Sequence, residues 1–169
     1  MNLQDDDFSL FQITPRMAQD KAMLDERWKT LQRQVHPDKF VGQGAAAQRL
    51  AMQWSVRVNE AYQRLKDPIK RAAYLCGLNG VPVDAESNTA MPTDFLMQQM
   101  QWREALEEAD QPSALQALAD EVHAAQQATL QQIETAIDTQ NDFASAAQGV
   151  RKLMFMHKFA QEVRAQQFV

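Results

Sequence analysis

The feature that most constrains this chain is a proline set at the end of one helical stripe and shortly before another. Leu24, Trp28, Leu31 and Val35 recur at i, i+4, i+7 and i+11, the spacing of one helix face. Asp20 precedes them as an N-cap, since its side-chain oxygen can accept an otherwise orphaned backbone N–H. Pro37 must end that helix: it has no N–H to continue the ladder, and it pushes His36 out of the α region. The stretch "HPDKFVGQG" then reads as a loop. A second helix is predicted over about Ala45 to Lys66, with Leu50, Trp54, Val58, Ala61 and Leu65 as its apolar stripe. Glu60 and Arg64 stand at the i, i+4 spacing of an ion pair. Two such helices joined by a short loop pack as an antiparallel hairpin, with Trp28 and Trp54 expected in the seam. Lys29 and Arg33 lie on the opposite face of the first helix, with Arg27 at its edge.

The rest of the chain is helical too. Ala, Gln, Leu, Met and Glu abound, and there are 5 Gly, so the fold class is all-α. "FSLFQI" forms a short turn or two of helix ahead of the hairpin. Asp67-Pro68 breaks the chain and restarts it, with Tyr74 and Leu75 packed back on the pair. "NGVPVDAESNTAMP" combines turn formers with small polar residues and reads as a linker over 79–92. Beyond it, Thr93 caps a helix to about Ala109. Pro112-Ser113 opens another, with Leu115, Leu118, Val122, Leu130, Ile133 and Ile137 along one side. "TQND" turns the chain into a last helix, with Phe143, Val150, Leu153, Met154 and His157 at core spacing. Residues 93–169 therefore read as an antiparallel three-helix bundle, and residues 1–78 as a separate helical domain.

Charge divides the same way. Residues 1–78 hold 12 Lys and Arg against 9 Asp and Glu, or +3; residues 79–169 hold 5 against 13, or −8. An acidic second half argues against nucleic acid as the main ligand, because phosphate binding needs a basic face. Opposite-signed halves fit two surfaces for two partners, or simply a soluble protein. One cysteine, Cys76, excludes an internal disulfide and a cysteine-rich zinc site. No basic leader with an apolar run opens the chain, and no stretch is apolar for a membrane's width. The expected location is the cytoplasm.

Catalytic chemistry finds little support. His36 and Asp38 are neighbours but one, whereas a base and its orienter usually converge from distant segments and need a nucleophile. Cys76 sits in an apolar helix and reads as core. "GQG" lacks the rest of a phosphate loop. His36, His123 and His157 are scattered, so neither a metal site nor a cofactor is expected. A small enzyme using His36 and Asp38 remains an alternative, and it would turn over without any partner.

The local set, an apolar-striped helix with a basic outer face, then His-Pro-Asp-Lys-Phe, then a second long helix, resembles the J domain. J domains are co-chaperone modules that activate DnaK-class ATPases. "DPIKRAAYL", "DFLMQQMQWREALEE" and "VRKLMFMHKF" extend the likeness over nearly the whole chain to the HscB family of bacterial iron–sulfur cluster assembly. The resemblance implies an L-shaped molecule with a J domain and a three-helix bundle. It implies that His36, Pro37, Asp38 and Lys39, flanked by Arg27, Lys29 and Arg33, contact an HscA-type chaperone and stimulate its ATPase. It further implies that Leu96, Met97, Met100, Arg103, Glu104, Glu107 and Phe155 hold an IscU-type scaffold protein, and that the chain itself catalyses nothing. A J-type co-chaperone for a different client is the alternative.

The residues support the second site in part. Leu96, Met97 and Met100 fall at i, i+1 and i+4, and flexible methionines suit a surface that binds a partner. The same stripe can equally be bundle core, or Phe95 and Trp102 can be the core instead; periodicity leaves both faces open. Gln101 and Ala105 stand where the family pattern leads one to expect charge, which removes a salt bridge. Eukaryotic relatives add a cysteine-rich zinc element and a targeting peptide, neither of which is in this chain, as expected of a bacterial form.

Overall fold

Side-chain oxygens start four of the helices, Asp67 doing so for Pro68–Leu78 by accepting from the N–H groups of Ile69 and Lys70. Asp6 accepts from the Ser9 N–H and opens α1 (Asp7–Phe11). Asp20 accepts from the N–H groups of Ala22 and Met23 and opens α2 (Lys21–Val35), as its position predicts. Asp142 does the same through Ser145 for α7 (Phe143–Gln167). Between them lie α3 (Ala45–Lys66), α4 (Pro68–Leu78), α5 (Thr93–Glu108) and α6 (Pro112–Glu134). The computed structural model describes residues 1–85 and 90–169, and the described residues are helices and their connections, without a strand. They form two compact units, Met1–Leu75 and Cys76–Val169.

In the first unit, the partners between α2 and α3 run in opposite directions. Asp25 accepts from the Tyr62 hydroxyl, Trp28 Nε1 donates to Asn59 (2.9 Å), and the Ser55 hydroxyl donates to Gln32 (3.3 Å). The hairpin is thus antiparallel. Its core holds Leu24, Leu31 and Val35 against Ala51, Val58, Ala61 and Leu65, closed by Phe8, Leu10 and Phe11 of α1. Trp28 and Trp54 are only half-buried at the seam, Trp28 stacking on Tyr62 at 4.8 Å between ring centroids. Leu50, expected inside, is exposed. The next residue, the small Ala51, is buried in its place. Nor is the expected Glu60–Arg64 pair the main contact: Arg64 Nε donates to Asp7 Oδ2 at 2.6 Å. Asp7 is wholly buried, and a buried carboxylate needs such partners. Arg57 joins it, with Nη1 2.8 Å from Asp7 Oδ1 as an ion pair rather than in hydrogen-bonding geometry, and Nη2 donating to the Asp5 carbonyl (2.6 Å). These contacts pin the N-terminal segment onto α3.

In the second unit, α6 and α7 pack through Leu118, Val122 and Ile133 against Ala146, Ala147, Val150, Leu153, Met156, Phe159 and Val163. A Cβ on Gly149 would stand 2.7 Å from Ile133 Cγ1, so glycine is what lets these helices meet. Leu115 and Leu130 are half-buried, while Thr129 is buried with its hydroxyl donating to the Ala125 carbonyl (2.9 Å). Met154 and His157, expected in the core, are exposed. The face of α7 that turns inward carries Met156 and Phe159 instead, because Phe159 meets Trp102 of α5. Thr93 is the first helical residue rather than the cap; Pro92 holds the cap position, without a side-chain bond. A π-helical turn, Thr135–Thr139, ends α6.

The linker expected over 79–92 includes residues 86–89, which lie outside the described residues. Ahead of them the chain is held to the second unit. Val83 is buried, its carbonyl accepts from Arg151 Nη1 (2.9 Å), and the Cys76 thiol donates to the Phe143 carbonyl (3.7 Å). Burial pushes the Cys76 thiol up to about 11, which suits a packing residue rather than a nucleophile.

Candidate functional site

Each unit carries one candidate surface. The first is the tip of the hairpin. His36 leaves the helix at φ −59° and ψ 131°, the extended conformation demanded by the following proline. Pro37 then starts a 3₁₀ turn, Pro37–Phe40, where a loop was expected. The reason is local: proline is preset for a first helical position, and Lys39 N–H closes the turn on the His36 carbonyl at 3.0 Å. The His36 ring points back into the turn, its Nδ1 3.2 Å from the Asp38 backbone nitrogen. The Asp38 side chain is 88% exposed, with Oδ2 3.5 Å from His36 Nδ1.

Along α2, Arg27, Lys29 and Arg33 are exposed, as is Lys39 in the turn; Pro37 is half-buried. Arg33 Nη2 lies 3.4 Å from the Thr30 hydroxyl, and Arg27 Nη1 3.5 Å from Gln12 Oε1, both long contacts. The arrangement offers a carboxylate at the apex and cations along one flank. That suits binding to a charged protein surface.

The second surface lies on α5. Phe95, Trp102 and Leu106 face inward, while Leu96 (44%), Met97 (57%) and Met100 (72%) are exposed. The apolar stripe left open by periodicity is therefore the outer face. Glu104 and Glu107 continue it and are exposed. Beneath it runs a block of four rings. Phe95 meets Trp102 and Phe155 edge-on at 6.5 and 5.8 Å; Trp102 stacks on Phe159 at 5.8 Å, and Phe155 on Phe159 at 6.1 Å. Phe155 is thus half-buried within the block rather than free.

Arg103 is already engaged. Its guanidinium grips both oxygens of Glu162 on α7 and lies over the Phe159 ring at 5.2 Å. The hydrogen bond from Arg103 holds the Glu162 carboxyl below its ordinary value. At the other end Lys152 sits over Phe95 at 5.6 Å. Neither Glu162 nor Lys152 was legible as part of this surface, because both come from a helix nearly sixty positions away in sequence from their partners.

No three His, Cys, Asp or Glu among the described residues are grouped to hold a metal ion. No helix among them is long and apolar enough to cross a membrane.

Comparison with known proteins supplies the last observation. The family model described as the HSCB C-terminal oligomerisation domain matches residues 91–164. The chain is 47% identical to the co-chaperone protein HscB homolog of Burkholderia multivorans, over 98% of this chain and 96% of that protein. It is 46% identical, with the same coverage, to the homolog of Burkholderia vietnamiensis. Chaperone HscB from Vibrio cholerae has a similar solved structure (TM-score 0.82, 34% identity, 96% of this chain and 97% of that one). So has the human co-chaperone protein HscB (TM-score 0.90, 28% identity, 98% and 84%).

Proposed function

The chain belongs to the HscB co-chaperone family, and on that premise we propose that it links a DnaK-class chaperone to an iron–sulfur scaffold protein. Residues 1–78 act as the J domain. His36, Pro37, Asp38 and Lys39 engage an HscA-type chaperone, and Arg27, Lys29 and Arg33 steer the encounter with an acidic patch on it. Asp38 offers its carboxylate to an arginine of the chaperone, a pairing that can be bidentate. Contact favours the chaperone state that hydrolyses ATP and closes on its client.

Residues 93–169 act as the client-holding domain. Leu96, Met97 and Met100 form the apolar contact to an IscU-type scaffold, with Glu104 and Glu107 as its polar border. Methionines adapt to a partner's relief, and a contiguous exposed apolar patch on a helix is what a docking face requires. Arg103 and Phe155 belong to the same surface. Holding client and ATPase together raises their effective concentration, so the chain acts without catalysing a reaction of its own, in the cytoplasm.

The observation that carries this reading is the Asp38 carboxylate, almost fully exposed at the apex of an ordered turn beside exposed cations. A carboxylate that merely held a turn would point into it. The test is ATP hydrolysis by an HscA-type chaperone with this protein and an IscU-type scaffold, added singly and together. Synergistic stimulation is expected. Asp38→Asn should abolish it while leaving scaffold binding unchanged. Stimulation that ignores the scaffold would assign a different client, and equal loss of scaffold binding in Asp38→Asn would end the two-surface reading.

A further inference from the structure

Sulfur is unevenly placed in this molecule. Of its 9 methionines, Met17 and Met156 are buried, whereas Met97 and Met100 stand 57% and 72% exposed on the outer face of α5. Cys76 is wholly buried, and its thiol, pushed up to about 11, does not compete for oxidants as a thiolate. The oxidisable groups that solvent reaches are therefore thioethers. Met1, Met23, Met52 and Met154 are exposed too, but none lies on α5.

The α5 pair is set apart by what oxidation does there. Met97 and Met100 are three residues apart and share one helix face. A methionine sulfoxide carries a polar S=O where the thioether was apolar. In the free protein that oxygen is hydrated, and the ring block that frames α5 does not contain it, so the fold is undisturbed. On docking, the oxygen must leave water. Beside Met100, Leu96 and an ionised Glu104 have no side-chain donor to offer it. Arg103 has its guanidinium committed to both oxygens of Glu162. A buried acceptor without a donor opposes burial, whereas the thioether favours it.

Resting on the scaffold-binding reading above, we propose that Met97 and Met100 form a reversible oxidation switch: peroxide converts them to sulfoxides, and the α5 face then releases the scaffold. The step balances. The thioether sulfur attacks one oxygen of hydrogen peroxide, the O–O bond breaks, and the second oxygen leaves as water after a proton shift. Sulfur is oxidised and peroxide is reduced. A methionine sulfoxide reductase returns the thioether, a dithiol becoming a disulfide and the oxygen leaving as water. The switch acts on docking alone, because both side chains are solvated until a partner covers them.

The experiment treats the full chain with hydrogen peroxide, removes the peroxide, and only then adds an unoxidised IscU-type scaffold. It reads scaffold affinity by titration calorimetry, sulfoxide positions by peptide mass spectrometry, and the unfolding midpoint. Affinity should fall by about tenfold or more with the midpoint unchanged, and a pair of sulfoxide reductases, one for each epimer, should restore it. Met97→Leu with Met100→Leu should change by less than about twofold on oxidation, each variant being compared with its own untreated form, since leucine keeps the bulk without the sulfur. The triple variant Met23→Leu, Met52→Leu, Met154→Leu should stay as sensitive as the parent. Bound scaffold should also slow oxidation of Met97 and Met100 several-fold and leave Met23 and Met52 as reactive as before.

An oxidised parent that binds as well as the untreated one, with Met97 and Met100 shown to be sulfoxides, would overturn the proposal. So would equal sensitivity in the Met97→Leu, Met100→Leu chain, a lowered unfolding midpoint that accounts for the loss, or a scaffold that fails to shield the pair. If the untreated chain does not bind the scaffold, the scaffold reading itself falls and takes the switch with it; binding by the untreated chain with no effect of oxidation removes the switch alone.

Discussion

The two candidate surfaces are built on opposite physical plans. The hairpin tip is polar and local: residues 36–40 make the turn, and the backbone that presents the exposed Asp38 carboxylate is held by bonds within a few residues. The α5 face is apolar and non-local: Leu96, Met97 and Met100 stand on four rings drawn from two helices far apart in sequence. A charged tip suits a brief encounter, since charge complementarity raises association rate and fixes orientation. An apolar face suits retention, since excluding water from buried side chains lowers the dissociation rate. On the function proposed above, holding a client while meeting an ATPase repeatedly calls for one surface of each kind.

The sharpest way to test this contrast is to damage the frame of one surface only. Phe159 is fully buried and stacks on both Trp102 and Phe155. Phe159→Ala should cost the second unit about 3–5 kcal/mol of stability, read as a lower denaturant midpoint, because it opens a cavity in the ring block. An effect below about 1 kcal/mol would mean that the block is not a rigid support.

Surface truncation should do the reverse. Met97 and Met100 are exposed, so replacing both by Ser should leave the unfolding transition within about 0.5 kcal/mol of the parent. Scaffold affinity should fall by about tenfold or more, given roughly 1.5–3 kcal/mol for each methionine fully buried on binding. Unchanged affinity by titration calorimetry would remove α5 from the proposed scaffold site.

On the basic flank, Lys29→Ala with Arg33→Ala should slow association with the chaperone several-fold at low salt. The difference should shrink as ionic strength rises and the Debye length falls to about 8 Å near 0.15 M. A defect of equal size at high salt would make these side chains direct contacts rather than steering charges.

The smallest effect belongs to the Arg103–Glu162 clasp, whose partners are partly exposed. Glu162→Ala should destabilise by no more than about 1 kcal/mol. The charge-reversed pair, Arg103→Glu with Glu162→Arg, should recover most of what Arg103→Glu loses in scaffold binding if Arg103 serves mainly to hold α5 on α7. Failure to recover would place Arg103 in direct contact with the scaffold. The Glu162 carboxyl is held low by the hydrogen bond from Arg103. Its share of stability is therefore complete above the ordinary glutamate value and is lost only as pH falls through the lowered one.

Much of this was legible in the chain because it is short-range. Asp20, Pro37 and Asp67-Pro68 act on their own neighbours, and the helix foreseen over residues 45–66 has those bounds. The turn after Pro37 was missed because "HPDKF" carries loop composition, while the backbone bond from Lys39 to His36 needs only correct dihedrals. Arg64 was misassigned because a neighbour at i−4 is visible in a sequence and a buried Asp7 is not.

What the sequence determined by itself was an all-helical chain, the stop at His36-Pro37-Asp38 and the cations flanking it. Helical period, proline geometry and capping chemistry depend on residues within a turn or two of each other. What only the tertiary structure decided was which side of each helix is inside. On α5, Leu96, Met97 and Met100 compete with Phe95, Trp102 and Leu106 for burial, and both sets have helical spacing. The aromatic set is buried because Phe155 and Phe159 of α7 offer ring partners to it, leaving the methionines outside. Periodicity marks apolar faces; packing against a distant helix chooses among them.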